Sequence, residues 1–93
     1  MTTNYKIRLL KHPDVTDLDG EKVMIDYERG KYFLLSGSAN DIWDLLREGI
    51  ESENIVSELV EKYDIEIAEC RKSVMKFLSE LENIGFITLE VCN

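Results

Sequence analysis

Val23-Met-Ile-Asp-Tyr-Glu-Arg-Gly30-Lys-Tyr-Phe-Leu-Leu-Ser-Gly-Ser-Ala-Asn-Asp-Ile-Trp43 is the stretch that decides the fold. It reads as a β-hairpin running directly into an amphipathic helix. Its second strand, Lys31–Leu35, has no polar face. Tyr32 and Leu34 point one way, and Lys31, Phe33 and Leu35 the other, because successive strand residues alternate sides. A strand in a small sheet can leave one face wet. Here one set packs on the helices; the other is exposed, or is covered by the N-terminal segment, by a dimer partner or by a ligand.

Working outward, the glycines mark the ends of elements. Asp19-Gly20 separates the β-prone segments Val15–Leu18 and Lys22–Tyr27, which suggests a tight hairpin. Glu28-Arg29-Gly30 joins Lys22–Tyr27 to Lys31–Leu35, and glycine suits the left-handed position of such a loop. The first third is therefore a three-stranded antiparallel meander. Ser36-Gly37-Ser38 breaks the pattern and offers serine caps for a helix. Ala39, Ile42, Trp43, Leu45 and Leu46 follow with helical spacing, and Gly49 closes that helix. Ser52 is the expected cap of a second helix, with Glu53 at its positive dipole end and a stripe of Ile55, Val56, Leu59, Val60 and Tyr63. The third and longest helix spans about Glu66 to Ile84, with Ile67, Cys70, Val74, Phe77, Leu78, Leu81 and Ile84 on one face and Gly85 as its stop. Phe86–Val91 reads as a short extended tail or final strand.

The order is three strands, three helices and a possible last strand. It predicts an α+β fold: a winged helix-turn-helix, with a three-stranded antiparallel sheet followed by three helices. With no linker, repeat or low-complexity tract, residues 1–93 read as a single domain with its core at about 15–89.

Size and charge narrow the function. A chain of 93 residues buries only roughly 60–65% of its unfolded surface, which leaves little room for an enclosed catalytic cavity. No run approaches the ~18–20 apolar residues of a membrane span, and residues 1–10 lack the apolar block of a signal peptide. A cytoplasmic location and no membrane partner follow as expectations. The formal net charge of −8 disfavours nucleic acid, since polyanion binding relies on clustered Lys and Arg. Cys70 and Cys92 form neither a disulfide framework nor a metal motif; Cys70 falls at an apolar helix position, where a buried thiol is expected.

Residues for catalysis are wanting. Nucleophilic chemistry needs an activated Ser, Cys or Lys beside a base. The one histidine, His12, precedes Pro13 in an expected loop without a second base. No glycine-rich phosphate cradle is present, and Glu53, Glu58, Glu61, Glu66, Glu69 and Glu80 fall mostly opposite the apolar stripes. No catalytic residue, cofactor or metal is expected, so the chain is not read as an enzyme.

Binding remains. An open sheet edge beside apolar pockets is a receptor for an added peptide strand. On a helical projection the core arc of the third helix centres on Cys70, Val74 and Leu81. Arg71, Met75, Leu78 and Glu82 lie along one shoulder of it; Ser73, Phe77 and Ile84 lie along the other. The first shoulder, mixing Met with charge, suits a groove lip.

The hairpin Val23–Leu35, then Ala39 and Ile42-Trp43, then Ile55, Leu59 and Tyr63, and the close Phe77-Leu78, Leu81, Gly85-Phe86-Ile87 together resemble the PqqD-like proteins. These are stand-alone recognition elements for ribosomally made, post-translationally modified peptides. The likeness covers about Val23 to Ile87. Ser36-Gly37-Ser38 stands where the pyrroloquinoline-quinone branch usually carries Pro-Glu. Arg-Gly-Lys-Tyr-Phe and the following Ile-Trp are more similar to the recognition proteins of lasso-peptide clusters. The resemblance implies a non-catalytic adaptor whose partners are a precursor leader peptide and a leader protease or other peptide-modifying enzyme. It implies that the leader adds a strand beside Lys31–Leu35, in the cleft facing the third helix. Lys31, Tyr32, Phe33, Leu34 and Leu35 are the expected strand side of that site, and Arg71, Val74, Met75 and Leu78 the helix side, with Arg71, Lys31 and Lys72 offered to acidic leader residues. A chaperone for a radical-SAM enzyme, a DNA-binding winged helix and a homodimer through the strand are the competing readings.

Overall fold

The computed structural model describes residues 3–10, 14–18, 21–35 and 38–92, with the backbone alone described at 14, 18, 31 and 38. Its elements are β1 (Tyr5–Leu9), β2 (Asp14–Leu18), β3 (Glu21–Asp26), β4 (Lys31–Leu35), α1 (Ser38–Leu45), α2 (Ser52–Lys62), α3 (Ile67–Asn83) and β5 (Ile87–Val91). The expected turn at Asp19-Gly20, the His12-Pro13 loop and the break at Ser36-Gly37 lie outside the described residues.

Strands β2, β3 and β4 form the antiparallel meander that the sequence predicts, in that spatial order. Met24 stands opposite Phe33, and Val23 opposite Leu34. Gly30 has φ +64° in the β3–β4 turn, a left-handed conformation that costs a glycine nothing. The turn is pinned by Asp26, a buried carboxylate whose Oδ1 accepts the Glu28 backbone N–H at 3.2 Å.

Two features were not expected. First, the N-terminal segment is a strand: β1 pairs antiparallel with β5, with Ile7 opposite Leu89. Tyr5-Lys6-Ile7-Arg8-Leu9 alternates apolar and charged residues, the period of a half-buried strand. Ile7 is completely buried. On its other edge the Ile7 N–H donates to the Ile50 carbonyl and the Gly49 N–H donates to the Ile7 carbonyl, both at 2.8 Å. Gly49, expected to close the first helix, instead lies four residues past its end at φ +84° and turns the chain onto β1.

Second, α2 is capped from outside. Ser52 is its first residue rather than its cap, and Glu51 at the cap position makes no side-chain cap bond. Asn4 supplies it: its Oδ1 accepts the Glu53 N–H at 3.1 Å and the Ser52 hydroxyl at 3.3 Å. An otherwise unsatisfied helix-terminal donor is thereby paired, and the segment leading into β1 is tied to α2.

Helix α3 ends as predicted. The Phe86 N–H donates to the Leu81 carbonyl and the Gly85 N–H to the Glu82 carbonyl, the paired bonds of a Schellman close with glycine in the left-handed position. Cys70, Val74, Leu78 and Leu81 are its buried residues. Ile67, expected on that face, is 52% exposed. It sits at the open end of the α2–α3 turn, where Tyr63 and Ile65 are exposed as well. The core joins Ile7, Met24, Leu35, Ile42, Ile55, Val74, Leu81 and Ile87, so it draws on both sheets and all three helices. No helix among the described residues is long and apolar enough to cross a membrane.

Candidate functional site

Strand β4 lies at an edge of its sheet, paired with β3 on one side. Alternate residues of an edge strand turn N–H and C=O groups outward, away from the neighbour. Of its side chains, Leu35 is buried and Phe33 half-buried against the core, while Tyr32 is 76% and Leu34 55% exposed. The apolar residues on the second face are therefore uncovered by the described part of this chain.

Beside this edge opens a cleft of about 330 Å³. Met24, Phe33, Leu34 and Leu35 form its sheet wall, Ala39 one end, and Phe77, Glu80, Leu81, Asn83 and Ile84 its wall on α3. Helical spacing explains the α3 set: Phe77, Glu80, Leu81 and Ile84 fall at i, i+3, i+4 and i+7, one face of a helix. The cleft is apolar apart from Glu80 and Asn83. On the opposite face of the sheet a shallower depression is lined by Val23, Ile25, Asp26, Tyr27, Gly30 and Tyr32.

The structure brings together part of the expected site. Phe33, Leu34 and Leu35 border the cleft; Tyr32 belongs to the opposite depression; Lys31 opens β4 in register with Asp26. On the helix side none of Arg71, Val74, Met75 and Leu78 is among the lining residues. Val74 and Leu78 are completely buried, and Met75 is half-buried against the core. Arg71 faces α2, where its guanidinium donates to both carboxylate oxygens of Glu53, at 2.7 and 3.0 Å. That hydrogen bond lowers the Glu53 pKa and raises that of Arg71. The projection defined two shoulders of α3, and it is the Phe77–Ile84 shoulder that borders β4; on the mixed-charge shoulder Arg71 is bonded to Glu53 of α2 and Glu82 to the Leu89 N–H of β5.

Other polar groups are committed to structure. Lys22, opposite Leu35 in the ladder, pairs with Asp44 on α1 and ties the sheet to that helix. Tyr63 donates from its hydroxyl to Asp41 at 2.8 Å. Burial raises the Cys70 pKa, which disfavours the reactive thiolate. Among the described residues no group of three or more His, Cys, Asp or Glu is arranged to hold a metal ion.

Residues 21–87 match the family model described as coenzyme PQQ synthesis protein D (PqqD). The chain belongs to the PqqD family. The match runs from the start of β3 to the first residue of β5, so it takes in β4, the cleft and all three helices. Among solved structures the chain is similar to TbiB1, determined in complex with the TbiA(beta) leader peptide. The two share 26% identity and superpose with a TM-score of 0.73, over 86% of this chain and 93% of that one. A search of curated proteins finds no match.

Proposed function

We propose that this PqqD-family protein is a non-catalytic adaptor. It binds the leader of a ribosomally synthesised precursor peptide by strand addition to β4 and delivers it to a maturation enzyme, the leader protease of a lasso-peptide pathway. The observation that carries this reading is the open edge of β4 beside an apolar cleft, in a chain similar to one solved with a leader peptide bound. A strand laid beside β4 gains main-chain hydrogen bonds from the edge and places alternate side chains in the cleft. Such a ladder with two or three apolar anchors supports micromolar to nanomolar binding, about 8–12 kcal/mol.

On this reading the site consists of Lys31–Leu35 on the strand side. On the helix side it is Phe77, Leu81 and Ile84, in place of the Arg71 shoulder. The test is a titration of isotope-labelled protein with leader peptides from short precursor genes adjoining its own. The amides of β4 and of residues 77–84 shift; shifts confined to α2 contradict the assignment. Pull-down of the neighbouring protease by the peptide-loaded adaptor supports the lasso branch, whereas pull-down of a radical-SAM enzyme assigns the chain to the chaperone reading.

A further inference from the structure

We infer that the cleft selects a leader carrying a lysine or arginine on the same strand face as its apolar anchor, with Glu80 as the counter-charge. This rests on the leader-binding reading and reverses the charge preference that Arg71 suggests in the sequence. Glu80 is exposed on the α3 wall, about one turn from both Phe77 and Ile84. Its backbone carbonyl accepts the Ile84 N–H at 3.2 Å, whereas its carboxylate makes no hydrogen bond or ion pair among the described residues.

Three cations with described side chains are engaged elsewhere. Arg71 is held by Glu53, Lys22 by Asp44, and the Arg29 Nε lies 3.8 Å from Asp26. Lys76, one turn before Glu80 on α3, is exposed and outside the cleft lining. Glu82 accepts the Leu89 N–H at 3.2 Å. Glu80 is thus the one carboxylate bordering the cleft among the described side chains, with the neutral Asn83 beside it.

Spacing supports the pairing. Glu80 is three residues from Phe77 and four from Ile84, about 4.5 and 6 Å along the helix axis. Same-face residues of a bound strand are about 6.5–7 Å apart. A leader strand that runs along α3 with its anchor at Phe77 or Ile84 carries its next same-face side chain to within about 1–2 Å of the level of Glu80. The chain's net charge of −8 acts in the same sense, favouring the approach of a basic peptide.

The experiment pans a random-peptide display library on the immobilised protein and, in parallel, on Glu80→Lys. Peptides whose binding is lost on Leu34→Asp are retained as cleft ligands. On the wild type these are enriched in Lys or Arg two residues from an apolar anchor. On Glu80→Lys the enrichment moves to Asp or Glu. For a synthesised pair differing only at that position, the basic peptide binds about threefold tighter at low salt, as expected for one exposed ion pair, and the margin shrinks as salt screens it. Acidic enrichment on the wild type, or an unchanged basic bias on Glu80→Lys, overturns the inference while leaving peptide binding intact. Failure to recover any peptide sensitive to Leu34→Asp overturns the leader-binding reading, and the charge preference with it.

Discussion

Strands β1 and β4 are both five residues long, both carry apolar residues, and both border the same core, yet their edges have opposite fates. β1 is sealed: β5 pairs on one side, and the backbone of Gly49 and Ile50 bonds Ile7 on the other. Among the described residues β4 is paired with β3 alone, and it keeps Tyr32 and Leu34 exposed. The sealed strand is the less hydrophobic of the two by composition. Openness is thus a property of what the chain places beside a strand, and apolar surface left at an open edge is available to another chain.

Substitutions can break this contrast from either side. The largest effect belongs to the sealed strand. Ile7→Ala removes a fully buried side chain and costs about 2–5 kcal/mol of stability, read as a lowered urea midpoint. At the open strand the expected effect is on binding. Leu34→Asp leaves the unfolding free energy within about 0.5 kcal/mol of wild type and weakens a cognate leader about tenfold or more, roughly 1.4 kcal/mol. Glu58→Ala, on the exposed face of α2, changes neither. Phe33→Asp, facing inward from the same strand, reduces both. If all three substitutions reduce affinity equally in folded protein, β4 is not the site.

A smaller effect tests how β1 is tied down. Asn4→Ala removes the external cap of α2 and costs about 1 kcal/mol of stability, with leader affinity unchanged. The smallest concerns the α3 shoulder that faces away from the cleft. Hydrogen bonding to Arg71 lowers the Glu53 pKa from its ordinary 4.5. A carboxylate depressed in the folded state stabilises above its unfolded pKa, and that contribution is lost as pH falls through the folded value. Acid melts of the wild type therefore lose stability below about pH 4.5 through this pair, by up to about 1 kcal/mol for a half-exposed salt bridge. Arg71→Gln lacks that increment, and it leaves peptide affinity unchanged.

The meander, the three helices and the Gly85 stop were legible in the sequence because each has a local cause: alternation, helical periodicity, or a glycine at a left-handed position. The β1–β5 pair was not, although Tyr5–Leu9 alternates cleanly, because strand partners far apart in the chain leave no local mark. The external cap was hidden for the same reason. Ser52 looks like a cap in sequence, and only the fold brings Asn4 to the helix end. At the candidate site the strand side was legible from Lys31–Leu35 alone. The helix side was half legible: periodicity gives the two shoulders of α3, but which one borders β4 is a matter of packing, and the mixed charge of Arg71 and Met75 pointed to the other.

Amide hydrogen exchange of the free and peptide-loaded protein reads the contrast between β1 and β4 directly. In the free protein the β1 amides are protected, while alternate amides of Lys31–Leu35 exchange quickly. A cognate leader at saturation slows those β4 amides and leaves β1 unchanged. Full protection of β4 without peptide, or unchanged β4 exchange at saturation, would contradict an edge held open for another chain's strand.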